Sequence, residues 1–155
     1  MSRRLWIWRK GSRYCNMRRS EGSPAQRQIW IASDVDIVEA RMAARAAAAD
    51  LGFRGADLVM IATAVSEVAR NILEYAKPGE VLLSPLGNGH RQGLEVIARD
   101  RGPGIADINR AMEDGFSSAR GLGLGLPGAR RLMDEFLIDS KVGAGTTITM
   151  KKWLP

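Results

Sequence analysis

Two polar side chains on a predicted helix have the types and the spacing to combine a metal ligand with a base. Glu67 and Asn71 are four residues apart, so their side chains leave an α-helix on the same face. The amide oxygen of Asn71 is a hard, neutral ligand of the kind that Mg²⁺ accepts while it keeps several waters. The carboxylate of Glu67 is then free to orient or deprotonate an attacking oxygen. Taken alone, such a pair is more often a solvated polar edge of a surface helix.

A second candidate is the segment Asp-Arg-Gly-Pro-Gly at residues 100–104, which follows a predicted strand. An aspartate there can accept a hydrogen bond from an exocyclic amine, and the glycines let the backbone approach a planar base closely. Near the C-terminus, Gly145-Thr146 enters the last predicted strand, where the Thr146 hydroxyl could share a water with Asp100. In isolation these two segments are also typical of ordinary turns.

A third candidate is the alternation of glycine and leucine at residues 121–126, which leads into a predicted helix. Successive glycines expose backbone N–H groups, and the N-terminus of a helix carries partial positive charge, so an anionic phosphate is well placed there. Arg120 adds a cation to the same segment. The pattern is neither a Walker motif, which needs Gly-Lys-Ser/Thr, nor a dinucleotide fingerprint, which follows the first strand.

The elements that must position these residues follow from hydrophobic periodicity and turn residues. The second helix has one apolar face, with its apolar residues at the i, i+3, i+4, i+7 spacing; they are Leu58, Ile61, Ala62, Val65, Val68, Ala69 and Ile72. Ser33 or Asp34 caps the first helix and Gly52 ends it. We predict helices near residues 34–51, 57–76, 106–113 and 124–134, and strands near residues 29–31, 80–86, 93–100, 136–142 and 145–152. This order favours an α+β fold, a mixed and mostly antiparallel sheet covered by helices on one face.

Positive charge is concentrated at the N-terminus of the chain. Residues 1–28 carry eight of the 23 Lys and Arg and one of the 17 Asp and Glu, so residues 29–155 have a net charge of −1. We therefore divide the chain into a basic, disordered tail at residues 1–27 and one domain at residues 28–155. Other interpretations of the tail stay open: sequence upstream of a start at Met17, or a weak nucleic-acid or membrane contact through Trp6 and Trp8.

Cysteine and histidine usage excludes several kinds of site. Cys15 is the only cysteine, which excludes an internal disulfide and a cysteine-rich metal site, and favours a reducing cytoplasm. His90 is the only histidine, which excludes a Ser-His-Asp triad and a multi-histidine metal cluster. No apolar run approaches the roughly 18–20 residues that cross a bilayer. We expect a cytoplasmic protein with no membrane partner.

Taken together and in this order, the motifs resemble the N, G1, G2 and G3 boxes of the GHKL ATPases. They are Glu67-x-x-x-Asn71, Asp100-x-Gly102-x-Gly104, Gly121-x-Gly123-x-Gly125 and Gly145-Thr146. The resemblance covers residues 28–155 and implies the Bergerat fold, with ATP and Mg²⁺ as ligands. It implies Glu67 as the general base, Asn71 on Mg²⁺, Asp100 on adenine with support from Thr146, and the glycine-rich segment as a lid. The implied nucleotide contacts are Asn71, Asp100, Gly102, Gly104, Ile105, Arg120, Gly121, Leu122, Gly123, Leu124, Gly125 and Thr146.

Within that superfamily the chain resembles the small stand-alone kinases. Topoisomerases, mismatch-repair ATPases and chaperones need further domains, and histidine kinases need a phospho-accepting histidine on a helical hairpin, whereas His90 lies in a predicted turn. The closest resemblance is to the switch serine kinases of the bacterial stressosome, which belong to the anti-sigma factor kinase family. It is carried by residues 61–72, 110–118, 125–136 and 152–155. The resemblance implies γ-phosphate transfer from ATP to a serine or threonine of a STAS-domain protein, followed by activation of a PPM-type phosphatase. The basic tail and residues 73–75 depart from the family pattern.

Three other functions stay open at this point. An anti-sigma factor would have the same fold and kinase activity but would sequester a sigma factor. A non-catalytic module would bind nucleotide only to set the conformation of the lid. The third alternative, nucleic-acid binding through the basic tail, is the least favoured, because the domain itself is nearly neutral.

Overall fold

The computed structural model describes residues 4–9, 26–114 and 125–155. The strands are β1 (Arg4–Arg9), β2 (Arg27–Ile31), β3 (Gly79–Gly87), β4 (Gln92–Asp100), β5 (Glu135–Lys141) and β6 (Gly145–Trp153). The helices are α1 (Asp34–Asp50), α2 (Ala56–Tyr75), α3 (Ile108–Ala111) and α4 (Gly125–Leu132). Every helix and strand predicted from residue 29 onward is present, with bounds that differ by a few residues.

The strands form one sheet in the order β1-β5-β6-β4-β3-β2, and every neighbouring pair is antiparallel. The two hairpins, β3–β4 and β5–β6, lie next to each other because β4 pairs with β6. In that pairing Arg99 is opposite Thr147, so the end of β4 lies beside the start of β6. The predicted α+β class is confirmed, and the register brings Asp100 and Thr146 to the same edge of the sheet.

The core lies between the sheet and helices α1 and α2, which also pack against each other. Alternate residues of the strands face it, which is the period expected of a sheet with one covered face. The predicted apolar face of α2 is buried apart from Leu58, which is partly buried against the core; its buried residues are Ile61, Ala62, Ala64, Val65, Val68, Ala69 and Ile72. No helix in the described part of the chain combines the length and hydropathy that a bilayer crossing requires.

Helix α1 begins where the sequence predicts. Ser33 is the N-cap, and Oδ2 of Asp36 accepts hydrogen bonds from the backbone N–H of Ala32 at 2.9 Å and of Ser33 at 2.8 Å. The N–H of Ala32, followed by the hydroxyl and the N–H of Ser33, holds the pKa of Asp36 below its usual value. The helix ends at Asp50, and Gly52 follows with φ +100°, a left-handed conformation that favours glycine.

The N-terminal region differs from the prediction at one place. We expected residues 1–27 to be disordered, but Arg4–Arg9 forms the edge strand β1 and pairs with β5 in antiparallel register. Between its two arginines the segment reads leucine, tryptophan, isoleucine and tryptophan. Aromatic and β-branched residues are common in strands. Its flanking arginines and short length obscured this signal. Residues 1–3 and 10–25 lie outside the described residues.

The boundary at residue 28 is testable by truncation. Removing residues 1–25 deletes β1 and leaves the five strands that enclose the core, so we expect cooperative unfolding with Tm lowered by about 5 °C through the lost pairing. Circular dichroism melts of the truncated and full-length chains measure this, with a deletion of residues 1–3 as the control. A truncated chain that melts without a cooperative transition would show that the domain extends into the tail.

Candidate functional site

A cavity of about 420 Å³ opens between α2, α4 and the ends of β4 and β6. Its volume lies in the range of about 300–1,000 Å³ that is usual for small-molecule sites. The lining is mainly apolar, with a few polar groups; the residues are Asn71, Tyr75, Ala76, Asp100, Pro103, Gly104, Ile105, Ala111, Leu126 and Thr146. Three of the four sequence motifs therefore contribute to one cavity, although they lie far apart along the chain.

The carboxylate of Asp100 is fixed by the backbone on both sides of it. Its Oδ1 accepts a hydrogen bond from the N–H of Gly102 at 2.8 Å and another from the N–H of Thr146 at 3.3 Å. Both bonds use the same oxygen, so neither of them occupies Oδ2. A half-buried aspartate held in this way can present its second oxygen to a donor on a ligand.

The loop after Asp100 follows a path that only glycine allows. A Cβ on Gly102 would lie 2.2 Å from Cβ of Ala76, the C-cap residue that follows α2. Gly104 has φ +75°, and a Cβ there would lie 2.3 Å from the carbonyl oxygen of Lys141. The loop therefore lies against α2 on one side and against the β5–β6 turn on the other, which forms the wall of the cavity.

Glu67 and Asn71 project from the same face of α2, as their spacing predicts, but they meet different surroundings. Asn71 lines the cavity, whereas Glu67 lies one turn earlier and is not part of the lining. Oε2 of Glu67 accepts a hydrogen bond from the N–H of Gly125 at 3.0 Å. Gly125 is the first residue of α4, so the half-buried carboxylate lies at the N-terminus of that helix, where a negative charge is favourable.

Most of the predicted lid lies outside the described residues. The lid residues that are not described are Arg120, Gly121, Leu122, Gly123 and Leu124. Gly125, the last glycine of the motif, is described and contacts Glu67. The next residue, Leu126, lines the cavity. The described end of the glycine-rich segment is therefore adjacent to the helix that carries Glu67 and Asn71.

Two polar or aromatic residues of the site have no role in the sequence analysis. Tyr75 lines the cavity and is 53% exposed, and its signal in the sequence is its position four residues after Asn71. Ser140 lies behind the cavity, 2% exposed, with its Oγ 2.8 Å from both the N of Ile105 and Oγ1 of Thr146. The sequence does contain a signal for Ser140: it occupies a position of the predicted strand 136–142 that the alternation of apolar residues places toward the core.

The contact predicted for Thr146 takes a different form in the structure. Its backbone N–H bonds directly to Asp100, and the nearest hydrogen-bond partner of its hydroxyl is Ser140. Both groups belong to the wall of one site, as expected, but the expected water between Thr146 and Asp100 is not needed to connect the two residues.

The cavity wall includes one side chain of a type that can serve as a ligand of Mg²⁺. In the described part of the chain, no cluster of three or more histidine, cysteine, aspartate or glutamate side chains could hold a metal. Mg²⁺ commonly takes one or two protein oxygens and completes its shell with waters and phosphate oxygens. The amide oxygen of Asn71, at the cavity wall, fits the part of a single protein ligand.

Comparison with known proteins identifies relatives over most of the chain. A model of the histidine kinase-like ATPase domain matches residues 31–152. The serine/threonine-protein kinase RsbT of Bacillus subtilis (strain 168) is 49% identical over 126 residues, 81% of this chain and 95% of that protein. An anti-sigma F factor of Thermoanaerobacter sp. (strain X514) is 32% identical over 121 residues, 74% of this chain and 83% of that protein.

Solved structures agree with this at the level of the fold. The mycobacterial sensor histidine kinase MprB matches with a TM-score of 0.50 and 20% sequence identity, covering 83% of this chain and 97% of that one. At this identity the likeness concerns the fold alone.

The close packing of the Asp100 loop makes a prediction about stability. Gly104 and Gly143 have similar backbone angles, φ +75° and +78°, but a Cβ on Gly143 would meet nothing within 4 Å. Both alanine variants therefore incur the left-handed strain of about 1–2 kcal/mol, and only Gly104→Ala adds a collision with Lys141. We expect urea unfolding to show Gly104→Ala clearly less stable than Gly143→Ala. Equal stabilities would show that the loop can move away from the β5–β6 turn.

Proposed function

The chain belongs to the histidine kinase-like ATPase family, and from that membership we propose that it transfers the γ-phosphate of ATP to a serine or threonine of a STAS-domain protein. Its 49% identity to a serine/threonine-protein kinase supports protein serine/threonine kinase activity. The observation that carries the proposal is the meeting of Asn71, Asp100 and Thr146 around one nucleotide-sized cavity.

In this proposal the adenine base lies at the end of the cavity formed by Asp100 and Thr146. Oδ2 of Asp100 accepts a hydrogen bond from the exocyclic amine, while the Oδ1 bonds to Gly102 and Thr146 keep the carboxylate in place. The half-exposed ring of Tyr75 and the side chain of Ile105 give the base apolar surface to pack against. Recognition of the base then combines one charged acceptor with a mainly apolar pocket.

The triphosphate lies toward Asn71 and the N-terminus of α4. Asn71 would hold Mg²⁺ through its amide oxygen, and the ion would supply neutralisation of charge on the phosphates. Residues 120–125 would contribute phosphate contacts in this proposal, because a segment in which glycine alternates with leucine before a helix can offer backbone N–H groups to an anion. Most of the catalysis is then positioning and charge neutralisation, as phosphoryl transfer requires.

Glu67 is the proposed general base. The N–H of Gly125 holds Oε2, which leaves Oε1 to take the proton of the incoming serine or threonine hydroxyl. The hydroxyl oxygen then bonds to the γ-phosphorus as the bond to the β,γ-bridging oxygen breaks, and ADP leaves. The same contact fixes the orientation of the carboxylate, because it is anchored at one oxygen.

The partners extend the same proposal. As in partner-switching kinases, the phosphorylated STAS-domain protein releases the kinase, which then activates a PPM-type phosphatase. A second candidate is favoured by the anti-sigma F factors, which are 32% identical to this chain over 121 residues. In that case the kinase would sequester a sigma factor, and co-purification with phosphatase or with sigma factor separates the two.

Substitution of Glu67 tests the proposed base. Glu67→Gln keeps an oxygen that can accept from Gly125 but cannot take a proton at neutral pH, so we expect transfer to fall by about 10²–10⁴-fold with ATP affinity nearly unchanged. Labelled-ATP transfer to a STAS-domain protein and nucleotide titration measure the two quantities. Glu74→Gln, which changes an exposed carboxylate on the same helix, is the matched control. Wild-type transfer by Glu67→Gln would remove Glu67 as the base.

Substitution of Asn71 tests the proposed metal contact. Asn71→Ala removes the protein ligand to Mg²⁺, so ATP binding should weaken when Mg²⁺ is present and change little when EDTA is present. Calorimetric titration with and without the metal gives the comparison. If Asn71→Ala weakened ATP equally in both conditions, Asn71 would contact the nucleotide itself and not the ion.

A further inference from the structure

Lys152 is a nearly buried lysine whose charge joins three elements of the fold. It is 9% exposed and lies on β6 opposite the core residue Leu94. Its Nζ donates to the carbonyl oxygen of Leu132 at 3.2 Å, and lies 3.4 Å from Oδ1 of Asp134 and 3.8 Å from Oδ1 of Asp57. Leu132 ends α4, Asp134 immediately precedes β5, and Asp57 lies in the first turn of α2. One cation on the sheet therefore ties the end of α4 to the start of α2.

Charged groups thus hold α4 against α2 at both of its ends. At the start of α4, Oε2 of Glu67 accepts from the N–H of Gly125, and at its end Lys152 connects Leu132 to Asp57. Glu67 and Asp57 are separated by about 15 Å along the axis of α2, and the eight residues of α4 span about 12 Å. Because these lengths are similar, α4 runs antiparallel beside α2 from one contact to the other.

The packing of α4 leaves its position along its own axis only partly determined. Its buried residues are its first five, and three of them are glycine or alanine. Such small residues offer few side-chain atoms to interlock with the grooves of a neighbouring helix. The polar contacts at the two ends therefore do much to fix where α4 begins relative to Glu67.

We propose that Lys152 is a positioning residue for phosphoryl transfer, which holds the end of α4 against α2 and so keeps the N–H of Gly125 on the carboxylate of Glu67. This rests on the proposed function, in which Glu67 is the base. Lys152 does not line the cavity, so it acts only through α4. Displacing a catalytic group by about 1 Å can lower a rate about 10²-fold, even when the substitution is remote.

Lys152→Met removes the donors and keeps most of the apolar stem. The side chains of Asp57 and Asp134 are each 26% exposed, so water can solvate them when the ammonium is gone, and we expect the variant to fold. Transfer at saturating ATP should fall by about 10–100-fold. The dissociation constant of ATP should rise no more than about threefold, because Leu126 is the only described lining residue that belongs to α4.

A double substitution separates positioning from a general loss of structure. In a Glu67→Gln background, Lys152→Met should lower the rate of transfer no further, because the carboxylate through which it acts is gone. A merely structural role would make the two losses multiply. Lys152→Arg retains a cation that can donate to Leu132 and should recover most of the wild-type rate.

Amide hydrogen exchange at Gly125 gives a measurement that does not depend on activity. We expect the Gly125 N–H to exchange about tenfold faster in Lys152→Met, the scale of one lost hydrogen bond to a charged group. Lys151→Met is the matched control, since Lys151 is the preceding residue of β6, points to the other face of the sheet and forms an ion pair with Glu135 at 3.5 Å. It should leave both the exchange at Gly125 and the rate of transfer unchanged.

The results discriminate between the inference and the function beneath it. A wild-type chain that transfers no phosphate to a STAS-domain protein would sink the proposed function, whereas faster exchange at Gly125 in Lys152→Met would still support the positioning of α4. Unchanged exchange in folded Lys152→Met, or losses that multiply with Glu67→Gln, would overturn the inference alone. If Lys152→Met does not fold, Asp57→Asn weakens the same contact and should speed the exchange by a smaller factor; no change there would also overturn it.

Discussion

The carboxylate of Asp100 joins the two strand ends on which the site is built. Its Oδ1 accepts from Gly102 in its own loop and from Thr146 at the start of β6, so one oxygen connects segments 46 residues apart. Hydrogen bonds to a charged acceptor are stronger than neutral ones, and loss of the carboxylate would leave two backbone donors without their partner. The group proposed to read the ligand is therefore also the group that shapes the cavity, and the two roles cannot be separated by substitution at this residue.

Helix α4 depends on the same kind of long-range charge contact at both of its ends. It has eight residues, too few to be stable alone in water. Glu67 accepts from the N–H of Gly125 at its start, and Nζ of Lys152 donates to the carbonyl of Leu132 at its end, at 3.2 Å. An anion near the partly positive N-terminus and a cation near the partly negative C-terminus both interact favourably with the helix dipole. Lys152 is nearly buried, and Asp134 at 3.4 Å and Asp57 at 3.8 Å compensate its charge.

Local patterns in the sequence predicted most of the elements, because the physical causes of these elements are local. The apolar period of α2, the cap at Ser33 and the glycine turns of both hairpins act over a few residues, and each appears where expected. The meeting of Asp100 with Thr146 was also predicted, from the chemistry of the two side chains and from the order of the family motifs. The register of β4 against β6 brings them together, and no local period encodes that register.

The contacts that the sequence did not predict all join segments that are far apart along the chain, or involve a segment whose composition is not typical of a strand. Glu67 and Gly125 are 58 residues apart. The spacing of Glu67 and Asn71 predicted a chemical role for Glu67, but nothing in the sequence indicated that it also binds the first N–H of α4. Ser140 is a polar residue at an inward-facing position of β5, and its contacts depend both on the pairing of β5 with β6, which brings Thr146, and on the loop after β4, which brings Ile105. Strand β1 pairs with a partner more than 120 residues away, at the edge of the sheet, where a short arginine-flanked segment has little local signal.

The distribution of polar groups around the cavity limits what the site can bind. Asp100 and Thr146 lie where β4 ends and β6 begins, Asn71 lies on α2, and apolar side chains such as Ile105 and Leu126 form the wall between them. A ligand that contacts all three polar residues needs a planar edge with hydrogen-bonding groups near Asp100 and Thr146. Near Asn71 it needs a group, such as a metal ion, that binds an amide oxygen. A small apolar molecule would offer no donor to Oδ2 of Asp100, which neither backbone bond uses, and a bare metal ion would leave the apolar wall uncovered. A nucleotide with its metal ion would meet both requirements at once, so the polar groups of the cavity, considered apart from the family, agree with the ligand of the proposed function.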